Sequence, residues 1–315
     1  MKRVLLFFLA TAAVSAVSPV CASDGRIGFS AEGEFSESAI RRGVKATREQ
    51  CEKVDNAVWV STKDHGEECL KYWAAGFSGK YKGRAVVFFH GDIRGGAGKT
   101  SKGYLRMTNR TLQRDAEEWS KKLEAPYIFF ARPGTHGSSG DHMQRRRVAE
   151  SILISAALDK IKDRLKIKEF VVAGQSGGGH VTSSLITYRA DIVCAVPASA
   201  PSSPRVQRTI KWPRKHSTGY SDSYEPTEHL QKDKVHEGLR VFVLGNPDDT
   251  NVVWPSQVIM AAKLKEAGIP VETLHGKGMG SAGHGLKDSA RIVAGWCFKD
   301  LPTQEILRKA ADELR

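Results

Sequence analysis

Apolar residues in this chain fall into short dense runs, separated by stretches in which they recur every three or four positions. Arg84-Ala85-Val86-Val87-Phe88-Phe89-His90-Gly91 and Pro126-Tyr127-Ile128-Phe129-Phe130-Ala131 are runs of the kind that is buried on both faces of a parallel sheet. Similar runs follow at residues 169–175, Ile192–Val196, Leu239–Leu244 and Pro270–Leu274. Between them the period changes. Val148, Ile152, Leu158, Ile161 and Leu165 mark an amphipathic helix within residues 143–165. Helical stretches are also expected at Thr111–Leu123 and at about 255–267, 287–298 and 302–314. Nearer the start, Ala57–Val60 and Cys69–Trp73 read as two strands joined by the turn-forming Lys63-Asp64-His65-Gly66, an antiparallel hairpin. Ahead of it, residues from about Ala39 to Cys51 have a helical pattern. A hairpin followed by alternating strands and helices predicts an α/β fold: a doubly wound, mostly parallel sheet in a single domain. Pro201 to Glu237, rich in Pro, Ser and charge, is the one long stretch without clear periodicity. It is either a plain surface loop with a short helix at Glu225–Gln231 or a lid or substrate-contact segment.

Composition changes this picture at the N-terminus. Met1-Lys2-Arg3 is basic, Val4 to about Val17 is apolar, and Val20-Cys21-Ala22 offers small residues before Ser23, the layout of a signal peptide over residues 1–22. That run is short for a membrane span, and no later stretch approaches ~20 apolar residues. The expectation is an exported protein, periplasmic or secreted, with no transmembrane segment and a domain over residues 23–315. The 48 basic and 35 acidic residues give a net charge of +13, or +11 without Lys2 and Arg3. The basic residues are scattered (Arg41-Arg42, Arg145-Arg146-Arg147, Lys211 to Lys215) and accompany no nucleic-acid motif, so they read as solvated surface and imply no nucleic-acid partner. Cys51, Cys69, Cys194 and Cys297 remain after cleavage. An even count suits an oxidising compartment, with Cys51–Cys69 the preferred disulfide and Cys194 either a buried thiol or bonded to Cys297. Metal-ligand spacing is absent, and no cofactor is implied.

The chemistry concentrates at Phe170-Val171-Val172-Ala173-Gly174-Gln175-Ser176-Gly177-Gly178, where a strand runs into G-x-S-x-G and a helical pattern follows. This is the setting of a nucleophile elbow, a serine on a sharp strand-to-helix turn. Gly174 and Gly178 let strand and helix approach closely, and the Gly177 amide, at a helix N-terminus, points toward a developing oxyanion. A hydroxyl needs a base, and the base needs an orienting carboxylate. After the strand ending at Leu244 comes Gly245-Asn246-Pro247-Asp248-Asp249-Thr250-Asn251-Val252, and after the last strand comes Gly278 to Leu286, with His284 inside it. The order Ser, Asp, His suits this architecture.

With these residues the sequence resembles the α/β-hydrolase fold superfamily, in its esterase and prolyl-oligopeptidase-like branches, over roughly residues 57–300. The resemblance rests on Gly174–Gly178, His90-Gly91, Gly245…Asp-x-x-Val and Gly283-His284-Gly285. It implies Ser176 as nucleophile, His284 as general base and then acid, and Asp249, three residues before Val252, as orienter, with Asp248 the alternative. It also implies Gly177 and Asp92 as the amides of the oxyanion hole, although the His-Gly-Gly-Gly form of many lipases is missing. His90 is read as structural and His275 as a reserve base. Arg132 to Gly140 resembles a pocket-bordering loop, His136 and His142 are not read as metal ligands, and His180 is expected beneath the site. Arg94–Thr100 ends in Gly-Lys-Thr like a phosphate-binding loop, but Ile93 stands where its first glycine belongs. The expectation is a serine hydrolase acting on a carboxylic ester, with a small-molecule or polymeric ester or amide as its partner and nothing in the sequence to set an oligomeric state. A peptidase or amidase using the same residues is the alternative, and a non-catalytic binding protein of the same fold is the reading from another class.

Overall fold

A computed structural model describes residues 25–33, 35–78, 83–93, 100–211 and 222–314. The signal-like stretch 1–22, Arg94–Lys99 of the Gly-Lys-Thr segment and residues 212–221 of the aperiodic stretch lie outside them. Chain order is β1 (Ile27–Gly28), α1 (Glu37–Arg42), β2 (Val44–Lys45), α2 (Arg48–Cys51), β3 (Ala57–Thr62), β4 (Gly66–Ala75), β5 (Arg84–Phe89), α3 (Asn109–Leu123), β6 (Tyr127–Phe130), α4 (Val148–Leu165) and β7 (Glu169–Gln175). There follow α5 (Gly177–Leu185), β8 (Ile192–Ala198), α6 (Pro204–Ile210), α7 (Pro226–His229), β9 (Arg240–Gly245), α8 (Trp254–Glu266), β10 (Val271–His275), α9 (Lys287–Phe298) and α10 (Thr303–Glu313).

Eight strands form one sheet in the order β10-β9-β8-β7-β5-β6-β4-β3. The β3–β4 and β4–β6 pairs are antiparallel and the other five are parallel. The expected doubly wound sheet and opening hairpin are both present. Side chains alternate between the two faces, as a pleated strand requires. Val87, Phe89 and Val172 pack under α4, α5 and α8, while Val86, Phe88, Val171 and Ala173 pack under α3, α9 and α10. Strand β7 therefore lies in the middle of the sheet, covered on both sides, and its C-terminal end delivers Ser176 to a solvent-facing edge.

The helix expected from Ala39 to Cys51 is instead two short helices. Gly43 breaks it at φ 76°, and a Cβ there would stand 2.7 Å from the Gly140 carbonyl oxygen. Val44 then pairs with Gly140 in both directions at 2.8 Å, so this segment caps the β6–α4 loop. That loop replaces strand pairing beyond β6: the hydroxyls of Ser138 and Ser139 accept the amides of Lys71 and Cys69 at 2.9 and 2.7 Å. The reading of the arginine run as solvated surface is also corrected. Arg145 and Arg146 are 2% and 1% exposed, drawn inward by the carboxylate of Asp92.

Two disulfides form, Cys51–Cys69 and Cys194–Cys297. The first ties α2 to β4, and the second ties the end of α9 to β8, resolving the fate of Cys194. Among the described residues no helix is long and apolar enough to cross a membrane. Because cross-linking limits the unfolded chain more for a longer loop, the two bonds should differ in weight. Their separations of 18 and 103 residues correspond to roughly 3 and 5 kcal/mol in the chain-entropy account. Replacing Cys194 and Cys297 by alanine should therefore lower the urea midpoint more than replacing Cys51 and Cys69, as equilibrium unfolding would read directly.

Candidate active site

The turn after β7 is possible because two glycines remove side chains where backbones meet. A Cβ on Gly178 would overlap the Phe89 carbonyl oxygen, and one on Gly174 would overlap that of Gly178. Ser176 sits at φ 58°, ψ −121°, a region a non-glycine residue occupies only when its surroundings enforce it. Its amide donates to the Ala198 oxygen at 2.8 Å, and its carbonyl accepts from His180 at 3.0 Å. Helix α5 begins immediately at Gly177, whose N–H has no acceptor within the helix. The turn after β5 passes alongside: a Cβ built on Gly91 would stand 3.3 Å from the Ser176 Cβ and 4.0 Å from its Oγ.

Two further loops bring His284 and Asp249 together. The β9–α8 and β10–α9 loops are laced by Asn246 Nδ2 to the Gly283 oxygen at 2.8 Å and by the Thr250 amide to the Ala282 oxygen at 2.9 Å. Gly283, at φ 61°, allows this approach, since a Cβ there would press to 2.6 Å from Asn246 Nδ2. His284 Nδ1 lies 2.7 Å from Asp249 Oδ2. The buried Asp249 carboxylate also accepts the amides of Asn251 and Val252 at 2.7 and 3.0 Å and Gln257 Nε2 at 3.2 Å. With Oδ2 facing Nδ1, Asp249 is placed to fix the orientation of the imidazole ring. His284 Nε2 is left buried with no partner among the described residues. Asp248 is exposed and turns its amide to the Asn246 side chain at 3.1 Å, so it does not meet the histidine. His275 is exposed at the end of β10, against the edge of Trp254.

Ser176 and His284 line one cavity of about 690 Å³, shared with Gly91, Asp92 and Pro201. Behind the Gly91–Asp92 turn lies a buried charge cluster. Asp92 accepts Arg132 Nη1 at 2.9 Å, Arg145 Nε at 3.0 Å and Arg146 Nη1, while Arg132 also bonds Glu150 at 2.8 Å. Burial alone would raise the Asp92 carboxyl, but Arg146, Arg145 and Arg132 hold it well below the usual carboxylate range. A Cβ on Gly177 would overlap Asp92 Oδ1, so this carboxylate abuts the first residue of α5. His90 is held by the Gly91 oxygen at 2.7 Å and Thr135 Oγ1 at 2.9 Å, in keeping with a structural part within the loop.

Sequence reasoning missed several of these supports. Gln175, whose side chain pins the His284 carbonyl at 3.1 Å, lies inside the elbow motif itself, but nothing local says where it points. Gln257 and the Arg132–Glu150 pair carry no pattern that separates them from surface residues. The Arg145-Arg146-Arg147 run carries none either: two of its three cations are buried because Asp92, distant in the chain, pairs with them.

No protein-family model matches the sequence, and no curated protein sequence matches it. Solved structures match it in three dimensions. The Pyrococcus horikoshii acylaminoacyl peptidase superposes with a TM-score of 0.51 at 14% identity, covering 81% of this chain and 45% of its own. The Pyrococcus furiosus esterase Pf2001 gives 0.51 at 18%, over 81% of this chain and 90% of its own. Est1E from Butyrivibrio proteoclasticus, in a structure with ferulic acid bound, gives 0.53 at 12%, over 78% and 98%. The chain has the α/β-hydrolase fold. It spans less than half the length of the peptidase and nearly all of Pf2001 and Est1E. In this α/β-hydrolase fold the elbow, the His90–Gly91 turn and the two laced loops all stand at the C-terminal edge of the sheet, where ligands of open α/β sheets bind.

Four buried histidines make the region acid-sensitive. Burial, with Arg132 adding to it, lowers His136 to about 3; burial also lowers His180 to about 4 and takes His90 and His142 well below the usual histidine value. Each folded-state value lies below the unfolded one. The unfolded chain therefore binds more protons as pH falls below about 6.5. The stability these neutral rings allow is present above that pH and lost on the way down toward pH 4. Urea unfolding at a series of pH values should show a loss of several kcal/mol between pH 6.5 and 5. His136→Gln should reduce the slope by about one proton.

Proposed function

We propose that the protein is an exported serine hydrolase that cleaves a carboxylic ester through an acyl-enzyme on Ser176. The observation that carries this reading is the cavity that Ser176 shares with His284. His284 lines it with Nε2 lacking a partner among the described residues, while its Nδ1 is bonded to a buried, three-fold supported Asp249. Ser176 Oγ attacks the ester carbonyl carbon and His284 Nε2 takes its proton, while Asp249 stabilises the imidazolium. The amides of Gly177 and Asp92 bind the oxyanion; Gly177 opens a helix, and the Gly91–Asp92 turn runs beside Ser176. As the C–O bond breaks, His284 returns the proton to the alkoxide. Water, deprotonated by the same histidine, then hydrolyses the acyl-enzyme and restores Ser176. An ester is favoured over an amide because its alkoxide asks least of leaving-group protonation. The peptidases and esterases that share the fold support a hydrolase of this general kind.

Two disulfides support passage through an oxidising compartment, with residues 1–22 as the signal peptide that directs it. The stretch 201–237 is assigned to substrate contact: Pro201 borders the cavity, and Glu225 clamps it through the Ser203 hydroxyl at 2.8 Å and the Arg205 amide at 2.6 Å.

Labelling of the purified protein with a fluorophosphonate should be abolished by Ser176→Ala. Absence of labelling in a correctly folded wild type would remove the hydrolase reading. A panel of nitrophenyl esters and peptide amides separates esterase from peptidase. Asp249→Asn should reduce kcat on the best substrate by about 10³–10⁴ through the wrong imidazole tautomer. Asp248→Asn should leave it within about threefold, as befits an exposed surface charge.

A further inference from the structure

Ser176 and His284 reach the cavity on separate chain segments, and His284 Nε2 has no hydrogen-bond partner among the described residues. A hydroxyl passes its proton to an imidazole only within about 3 Å, so other contacts have to hold the two segments at that range. The loop that carries His284 fixes its own path weakly, since five of residues 276–286 are glycine. Most of its ties lead away from the serine. Asn246, Asp249 and Thr250 bond it to the β9–α8 loop. Gly276 and Lys277 donate to the Gly245 and Leu314 oxygens at 2.9 and 2.7 Å, and Met279 and Gly285 bond each other. These contacts leave His284 and Asp249 free to shift as one body relative to β7. Apolar packing of α9 on the sheet begins only at Leu286, beyond the histidine, and the Cys194–Cys297 bond lies at the far end of that helix.

One side chain crosses the gap. Gln175 ends β7, directly before Ser176, and its Nε2 donates to the His284 carbonyl oxygen at 3.1 Å. Among the described residues this is the one hydrogen bond between the elbow, residues 174–180, and the 276–286 loop. Only the NH2 end of the amide can face a carbonyl oxygen, so the contact needs a donor and not merely a side chain of the right size. Gln175 is itself paired in the sheet with Ala198, whose oxygen takes the Ser176 amide at 2.8 Å. The same strand end therefore grips the serine by its backbone and the histidine by its carbonyl. We infer that Gln175 is a positioning residue that sets the separation of Ser176 Oγ and His284 Nε2. This deepens the hydrolase reading and rests on it for the effect on catalysis, although not for the pinning of the loop.

The test uses Gln175→Leu, which removes the donor, and Gln175→Glu, which keeps the shape but presents a carboxylate that cannot donate at neutral pH. Both should lower kcat on nitrophenyl acetate by about ten- to a hundredfold with KM within about twofold, the pattern of lost orientation in the transition state rather than lost substrate binding. The rate of fluorophosphonate labelling should fall alongside kcat, because it reads activation of the serine itself. A second readout needs no activity. Hydrogen exchange followed by mass spectrometry should show residues 276–286 exchanging about five- to tenfold faster in both variants, the weight of one hydrogen bond, with β7 unchanged. Wild-type kcat in either folded variant, or unchanged exchange in both, would overturn the positioning role and leave the hydrolase standing. A wild type that takes no fluorophosphonate and cleaves no ester would overturn the hydrolase; faster exchange in the variants would then still uphold the pinning, and unchanged exchange would overturn that as well. Should Gln175→Leu fail to fold, the isosteric Gln175→Glu decides alone.

Discussion

Everything at the site depends on a close approach of backbone to backbone at the start of α5. The helix axis comes so near to β5 and β7 that the Phe89 carbonyl fills the space a side chain on Gly178 would need, and Gly174 faces the same limit against the Gly178 carbonyl. This contact holds Ser176 in its left-handed conformation and sets the direction of the first α5 amide. It also makes the helix N-terminus and the β5 turn two sides of one slot. A single added methyl group at any of these glycines would move the elbow as a whole, because packed backbone has no rotamer with which to yield.

Around that contact the protein has placed charge in unequal ways. Asp249 is supported by amides and a glutamine, and its one ion pair among the described residues is with His284. Asp92, on the opposite wall, is surrounded by three arginines and is electrostatically spent on them. The first arrangement leaves a carboxylate that holds the His284 ring in place; the second builds a rigid wall behind the β5 turn. Burying either without its partners would cost more than the fold could offset. The Arg291 pairing at the far end of the cavity belongs to neither, since it joins α9 to Asp115 of α3.

The covalent and local ties point the same way. Cys194–Cys297 anchors the end of α9, whose first residues follow His284, to β8, which receives the Ser176 amide. His284 and Ser176 are thus carried by elements fastened to one another, and the loops between them are shortened by Asn246 and by the Met279–Gly285 pairing. A site assembled from four chain segments needs this, because a displacement of about 1 Å can remove much of the benefit of orientation.

The sequence by itself determined what is local. Runs such as Ala85–Phe89 and Val171–Ala173 can only be buried strands, the three- and four-residue period of 148–165 can only be an amphipathic helix, and G-x-S-x-G between a strand and a helix can only be a tight turn. Those facts suffice for the α/β sheet and for singling out Ser176, His284 and the pair Asp248–Asp249. Tertiary structure decided what depends on separations in space. Asp249 and Asp248 are adjacent and chemically identical, and only the lacing of two loops 30 residues apart turns one inward and leaves the other exposed. The split of the expected 39–51 helix needed Gly140, nearly 100 residues away. Arg145 and Arg146 became interior because Asp92 waits for them on the turn after β5, and no periodicity along the chain encodes a partner across it.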